Sequence, residues 1–207
     1  CDPAPPRFAS ADNWKPILTR FGYPQPSNEP VEFSFTPVNA QCIRLLGTEL
    51  SQDDFGFRYL QLSEVEAYND GTKQAASRVA VSSALGTWSP TRLIDGDGAT
   101  TWSSVSHSDH LASSEWAAIV LPARTTVNQV TITPRKDPAN PTSSLGFPKD
   151  FVLQYAYNGD GRSCDPASPR FASADNCKPI LTRFGYPQPS NEPVEYSLTP
   201  INAQRIR

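Results

Sequence analysis

Residues 1–44 recur as residues 164–207, and this duplication constrains the chain more than any other feature of its 207 residues. The offset is 163 (164 − 1), and six positions differ: Pro5/Ser168, Trp14/Cys177, Phe33/Tyr196, Phe35/Leu198, Val38/Ile201 and Cys42/Arg205. Phe33/Tyr196, Phe35/Leu198 and Val38/Ile201 keep an apolar or aromatic group, as a buried strand face demands. Apart from Cys1/Cys164, cysteine is not kept in register, since Trp14 faces Cys177 and Cys42 faces Arg205, so any disulfide through those positions differs between the copies. A period of 163 is a domain length, far longer than a solenoid unit. The chain therefore reads as 1–70, the C-terminal part of one module, followed by 71–207, a second module that lacks the counterpart of Leu45–Asp70. One whole set of strands can be assembled from 1–163 in permuted order or from 46–207. Either way one copy is surplus, and the expectation is that it docks into a second molecule by strand exchange.

Twenty-one prolines, eleven glycines and only 19% charged residues suit an all-β chain with many turns. Pro16–Phe21 reads as a short strand. Val31, Phe33 and Phe35 alternate with Glu32 and Ser34 as a half-buried strand. Ala40–Leu46 and Tyr59–Tyr68 follow, with a polar, aromatic-tipped loop over Ser51–Phe57, and Asp70-Gly71 marks the junction between modules. Beyond it come Arg78–Ser82, Trp116–Leu121 and Val127–Thr133. Phe151, Leu153, Tyr155 and Tyr157 alternate with Val152, Gln154 and Ala156 before an Asn158-Gly159 turn. No segment sustains a helical period. The expected architecture is an antiparallel β-sandwich with jelly-roll connections.

A net charge of −3 without a Lys/Arg cluster leaves no electrostatic footprint for nucleic acid. The longest apolar stretch is about Trp116–Pro122, too short for a membrane-spanning helix. Four cysteines (Cys1, Cys42, Cys164 and Cys177) show no CxxC spacing, which argues against zinc and for an exported, oxidising setting. Cys164 and Cys177 bracket a Pro-rich loop, and three pairings are open. The chain starts at Cys1 and holds no Met, so it reads as a mature protein or a piece of one.

The run from Leu93 to Trp102 carries the clearest chemistry. Asp95 and Asp97 straddle Gly96, with Thr100 three residues after the second. These are the hard oxygens that calcium prefers, in a backbone free to turn sharply. The spacing is not that of an EF-hand loop. The bland alternative is an Asp-Gly turn that binds nothing. A second cluster, Ser106, His107, Ser108, Asp109 and His110, could offer zinc ligands or a nucleophile with its base. It lacks a third ligand at recognisable spacing and a Gly-x-Ser-x-Gly elbow, and reads as a solvated loop.

Taken in order, these pieces resemble the discoidin-like family, also called the coagulation-factor type C domain or family-32 carbohydrate-binding module. The matching residues are Ile94 through Trp102, Glu115-Trp116, Thr133 to Arg135, Phe147 to Phe151, and Tyr155 to Gly159. In the duplicated half they are Ala40 to Arg44 and Leu62 to Glu66. The resemblance implies a discoidin-like jelly roll with a structural calcium. On matching positions the ion would take Asp97, Thr100, the carbonyl of Leu93 and the carboxylate of Glu64. Gly22 to Pro26 and Gly146 to Pro148 resemble modules attached to secreted bacterial glycoside hydrolases. The implied function is non-catalytic glycan or polysaccharide binding, extracellular; the alternative is a cell-adhesion or protein-interaction domain.

Saccharide recognition needs an aromatic plane for the sugar's apolar face and directional groups for its hydroxyls. Arg135 and Asn140 match the family's hydroxyl contacts. Phe55, Phe57 and Tyr59 stand where its stacking aromatic is often placed, and Trp88 is a rim aromatic. Glu115 stands where galactose-binding relatives carry His, which puts a galactose preference in doubt and suits hydroxyls or an amino sugar. Against these readings, Arg135 could pair with Asp137, Asn140 could be a turn residue and Phe57 a loop anchor. Trp116 reads as core.

Overall fold

A computed structural model describes residues 14–108, 114–140 and 142–156. The segment 157–207, which holds the second copy of the duplication, lies outside them, as do Cys1, Cys164, Cys177 and the Asn158-Gly159 turn. The described residues form eleven strands and one 3-10 turn, and no α-helix. The strands are β1 (Trp14–Arg20), β2 (Val31–Glu49), β3 (Ser51–Gln52), β4 (Arg58–Tyr59), β5 (Gln61–Asn69) and β6 (Thr72–Gln74). Then follow β7 (Arg78–Val81), β8 (Trp102–Ser103), β9 (Glu115–Lys136), β10 (Ser144–Leu145) and β11 (Asp150–Ala156). Every pairing is antiparallel.

Two strands are much longer than their sequence pattern suggests. The expected segments from Val31 and from Ala40 are one 19-residue strand, β2, and those from Trp116 and Val127 are one 22-residue strand, β9. Proline explains the apparent breaks. Register shifts separate Ser34 from Val38 and Ala40 from Cys42, where β9 jumps from Thr125 to Val120. Pro37 lies within the first irregular interval and Pro122 opposite the second, where a missing N–H interrupts no regular ladder. Strands bent at bulges can pass from one layer to the other.

The result is an all-β, discoidin-like β-sandwich. One layer runs β1, β11, residues 42–49 of β2, residues 115–120 of β9, and β7. The other joins residues 31–40 of β2, residues 125–134 of β9, and β5, with β6 and β8 beside it. Ile43, Leu45, Ile119 and Leu153 of the first meet Phe33, Val65, Val130 and Ile132 of the second in one core. Four rings concentrate the packing: Phe151 lies 5.4 Å from Tyr23 and 5.7 Å from both Phe33 and Phe147, centroid to centroid.

Residues before and after position 70 thus interleave in one sheet. Of the two assemblies open to the sequence, the described residues make the permuted one, using the first copy. Asp70-Gly71 is a two-residue hairpin from β5 to β6; both residues have positive φ (47° and 76°), as a type I′ turn requires.

The outer face of the first layer is also closed. Cys42, Ala118, Val120 and Ala156 form a separate buried cluster with Trp116 packed on it. Cys42 is disulfide-bonded. Arg44 is buried there, donates from Nε to Gln154 at 2.8 Å and lies 5.9 Å from the Trp116 ring centre. Burial pulls its pKa down to about 9.

Candidate functional site

Two neighbouring features build the site, and both start from the 3-10 turn Pro90–Leu93. Ser89 caps that turn, its Oγ accepting from the Thr91 N–H, and Pro90 supplies the pre-set φ of a first helical position. Leu93 is fully buried and anchors the turn to the core. Nine residues further (102 − 93), Trp102 is fully buried and donates from its indole to the Ser83 carbonyl at 3.2 Å. The loop between these anchors carries Asp95, Asp97 and Thr100.

In that loop Gly96, at φ 79°, turns the chain so that its N–H donates to Glu64 Oε1 at 2.7 Å. Glu64 lies on β5 and is only 5% exposed. Its other oxygen, Oε2, is buried without a hydrogen-bond partner. Asp95 stands beside it. The Asp95 carboxylate accepts from the Asp97 N–H at 3.0 Å and from Thr100 Oγ1 at 2.8 Å. Burial, then the facing Asp95, push the Glu64 carboxyl up to about 7. Burial opposes ionisation of Asp95 as well, but the hydrogen bonds from Asp97 and Thr100 outweigh it and hold its pKa below the usual value.

The structure brings Glu64, Thr100 and Leu93 into one neighbourhood and seats Asp95 against Glu64. Asp97 turns its carboxylate to the Ala99 N–H at 2.9 Å and offers its carbonyl to Thr100. Asp95 is the residue that motif matching passed over. Its signal was local: a carboxylate with a hydroxyl five residues on in a glycine turn. Among the described residues no three His, Cys, Asp or Glu side chains gather as a metal cluster. A cation here would be held by two carboxylates plus hydroxyl and carbonyl oxygens, a donor set that suits calcium.

Beside this loop lies an open cavity of about 340 Å³, lined by Trp88, Arg92, residues 98–101, Arg135, Lys136 and Pro138. Arg135 closes one wall from the end of β9. Its guanidinium sits 4.9 Å from the Trp88 ring centre and donates to Gln61 Oε1 at 2.9 Å. Gln61 is held in turn by Ser103 Oγ at 3.0 Å. Gly146 makes this bracing fit: it has φ 70°, and a Cβ there would lie 2.5 Å from Gln61 Cβ. Arg92 donates to the Thr101 carbonyl at 3.0 Å from the opposite wall.

Of the six residues expected to touch a saccharide, Trp88 and Arg135 line the cavity. Asn140 is exposed and spends its side-chain oxygen on Thr142, a turn role. Glu115 is 3% exposed, and its carboxylate is enclosed by Ser82, Ser83 and His107. With those acceptor positions taken, it presents nothing to a sugar in this cavity. Phe55 and Phe57 stand on the β3–β4 turn, 84% and 42% exposed, away from the cavity lining. Asp53 accepts from both their N–H groups and keeps that turn ordered. His107 pairs with Glu115, and Ser82 and Ser83 donate to the same carboxylate. Asp109 and His110 lie outside the described residues. Arg92, Lys136 and Gln61 were invisible in the sequence because only tertiary pairing brings β5, β9 and the 3-10 turn together.

Residues 78–167 match the F5/8 type C domain. The match begins at the first residue of β7 and takes in the 3-10 turn, the Asp95 loop, Arg135 and β11. Domains of this discoidin type are generally non-catalytic binding modules for carbohydrate or protein. No curated protein matches the chain at a significant level.

Proposed function

We propose that the chain is a non-catalytic carbohydrate-binding module that takes a glycan at the Trp88–Arg135 cavity and carries a structural calcium at Glu64 and Asp95. The observation that carries the first part is Arg135. Held over an indole on one side and braced by Gln61 on another, it is pre-organised to donate to an acceptor in the cavity. Calcium rests on the buried, unpartnered Glu64 Oε2 facing a second carboxylate. Bound there, the ion would tie the loop after the 3-10 turn to β5 and so stiffen the cavity wall at Thr100 and Thr101.

Arg135→Ala is the test. It should weaken saccharide binding by roughly 10- to 100-fold, the scale of a hydrogen bond to a charged group. Titration calorimetry on glycans selected from an array would measure it, with the thermal midpoint as a check on folding. Undiminished binding would remove the cavity from the proposal.

A second reading has its own observation. Phe55 and Phe57 project from an ordered turn outside the cavity, as a protein-binding or adhesion contact would. Binding to a protein that is indifferent to Arg135 and lost on Phe55→Ser would favour it.

In its wider setting the module is extracellular and attached to a glycoside hydrolase, where repeated copies raise avidity for a polysaccharide. Exchange of the 164–207 copy into the β1–β2 slot of a neighbouring molecule belongs to the same proposal. Arg205 in place of the fully buried Cys42 works against it. A dimer growing with concentration in light scattering would support exchange; a monomer throughout would end it.

A further inference from the structure

The charge around the cavity narrows what it can hold. Arg92, Arg135 and Lys136 line it, and among the described residues no carboxylate does, in a chain whose net charge is −3. Asp137 and Asp95 lie outside the lining, where their charges act on Arg135 and Arg92, and their oxygens are taken up by hydrogen bonds of their own loops. Asp137 accepts from the Ala139 N–H at 2.8 Å and from Ser143 Oγ at 3.0 Å. Asp95 accepts from Asp97 and Thr100, and Glu115 is enclosed elsewhere. Three cations therefore converge on a concave space whose own lining holds no carboxylate.

Arg135 is also suited to an anion. Trp88 covers a face of its guanidinium and one nitrogen, Nη1, is tied to Gln61, so a fixed planar group with further N–H donors lines the cavity. Such a planar group matches two oxygens of a carboxylate or sulfate better than a lone hydroxyl. Thr100 and Thr101 form the adjoining wall. The volume, about 340 Å³, is at the lower end for small-ligand sites and suits a short saccharide end.

We infer that the cavity is selective for an anionic saccharide, one bearing a carboxylate or a sulfate, with Arg92 and Lys136 supplying the charge and Arg135 the directional contact. This rests on the glycan-binding reading above. It replaces an amino-sugar preference based on Glu115, which is not in the cavity.

The test is titration of the full chain with three saccharides of similar length: a uronic-acid oligomer, a sulfated oligomer and a neutral oligomer. At least one acidic ligand should bind about tenfold more tightly than the neutral one, and its affinity should fall as sodium chloride rises. The two acidic arms tell carboxylate from sulfate. Lys136 is exposed at the rim, so Lys136→Gln should leave the thermal midpoint in place and cut the acidic-to-neutral affinity ratio several-fold. Equal affinity for neutral and acidic ligands, or a ratio untouched by Lys136→Gln, would overturn the inference and leave glycan binding standing. Failure of all three ligands to bind would count against both.

Discussion

Phe151→Ala is expected to cost about 3–5 kcal/mol of folding stability, the range for deleting a wholly buried aromatic ring. Phe151 has no exposed surface and sits on β11 between β1 and β2. Its ring touches three others at centroid distances of 5.4–5.7 Å. Two of those, Tyr23 and Phe33, come from the first copy of the duplication, while Phe147 and Phe151 come from the other side of residue 70. The cluster thus welds the two stretches into one core. The void left by alanine cannot collapse easily, because strands hydrogen-bonded on both sides hold β11 in place. Urea unfolding of the variant should show a lower midpoint with a similar slope. A loss below about 1 kcal/mol would mean that the four rings do not form the junction described.

Calcium should be the second large effect. A ligand that binds only the folded state, at 100 times its Kd, adds about 2.7 kcal/mol. The direction with pH follows from Glu64. Its folded pKa, about 7, lies above the ordinary 4.5, so in chelator the folded state holds the proton more tightly than the unfolded chain does. Stability from this group is greatest below the ordinary value and falls as pH rises from about 4.5 to 7. With calcium the sign reverses, since the ion needs the ionised carboxylate and its uptake releases the proton. The rise in thermal midpoint on adding calcium should therefore grow between pH 5 and pH 7.5. Glu64→Gln should abolish that rise and flatten the decline seen in chelator. A midpoint that ignores both calcium and chelator across this range would eliminate the ion from the proposal.

Much of this was legible because some signals are local. Alternation at Val31 to Phe35 and at Phe151 to Ala156 marked true strands, since the pleat alone sets a period of two. Asp-Gly turns were legible for the same reason. The breaks at Pro37 and Pro122 misled, because a bulge lets a strand carry a proline and continue. Of the residues that line the cavity, Arg135 was singled out from motif order and Trp88 as a rim aromatic in a loop. Glu115 was misplaced: a carboxylate beside a tryptophan looks available until three donors from distant loops close around it.

By itself, then, the order of residues settled the period of the strands, the places where the backbone could turn, and the duplication that made a permuted assembly available. Tertiary structure alone decided that β2 and β9 run through both layers, that Asp95 faces Glu64, and that three cations share one cavity. The physical reason is the range of each effect. Turn and strand preferences act over a few neighbouring residues, whereas burial and electrostatic environment depend on groups such as Gln61, Arg92 and Arg135, which meet only after the sheets have packed.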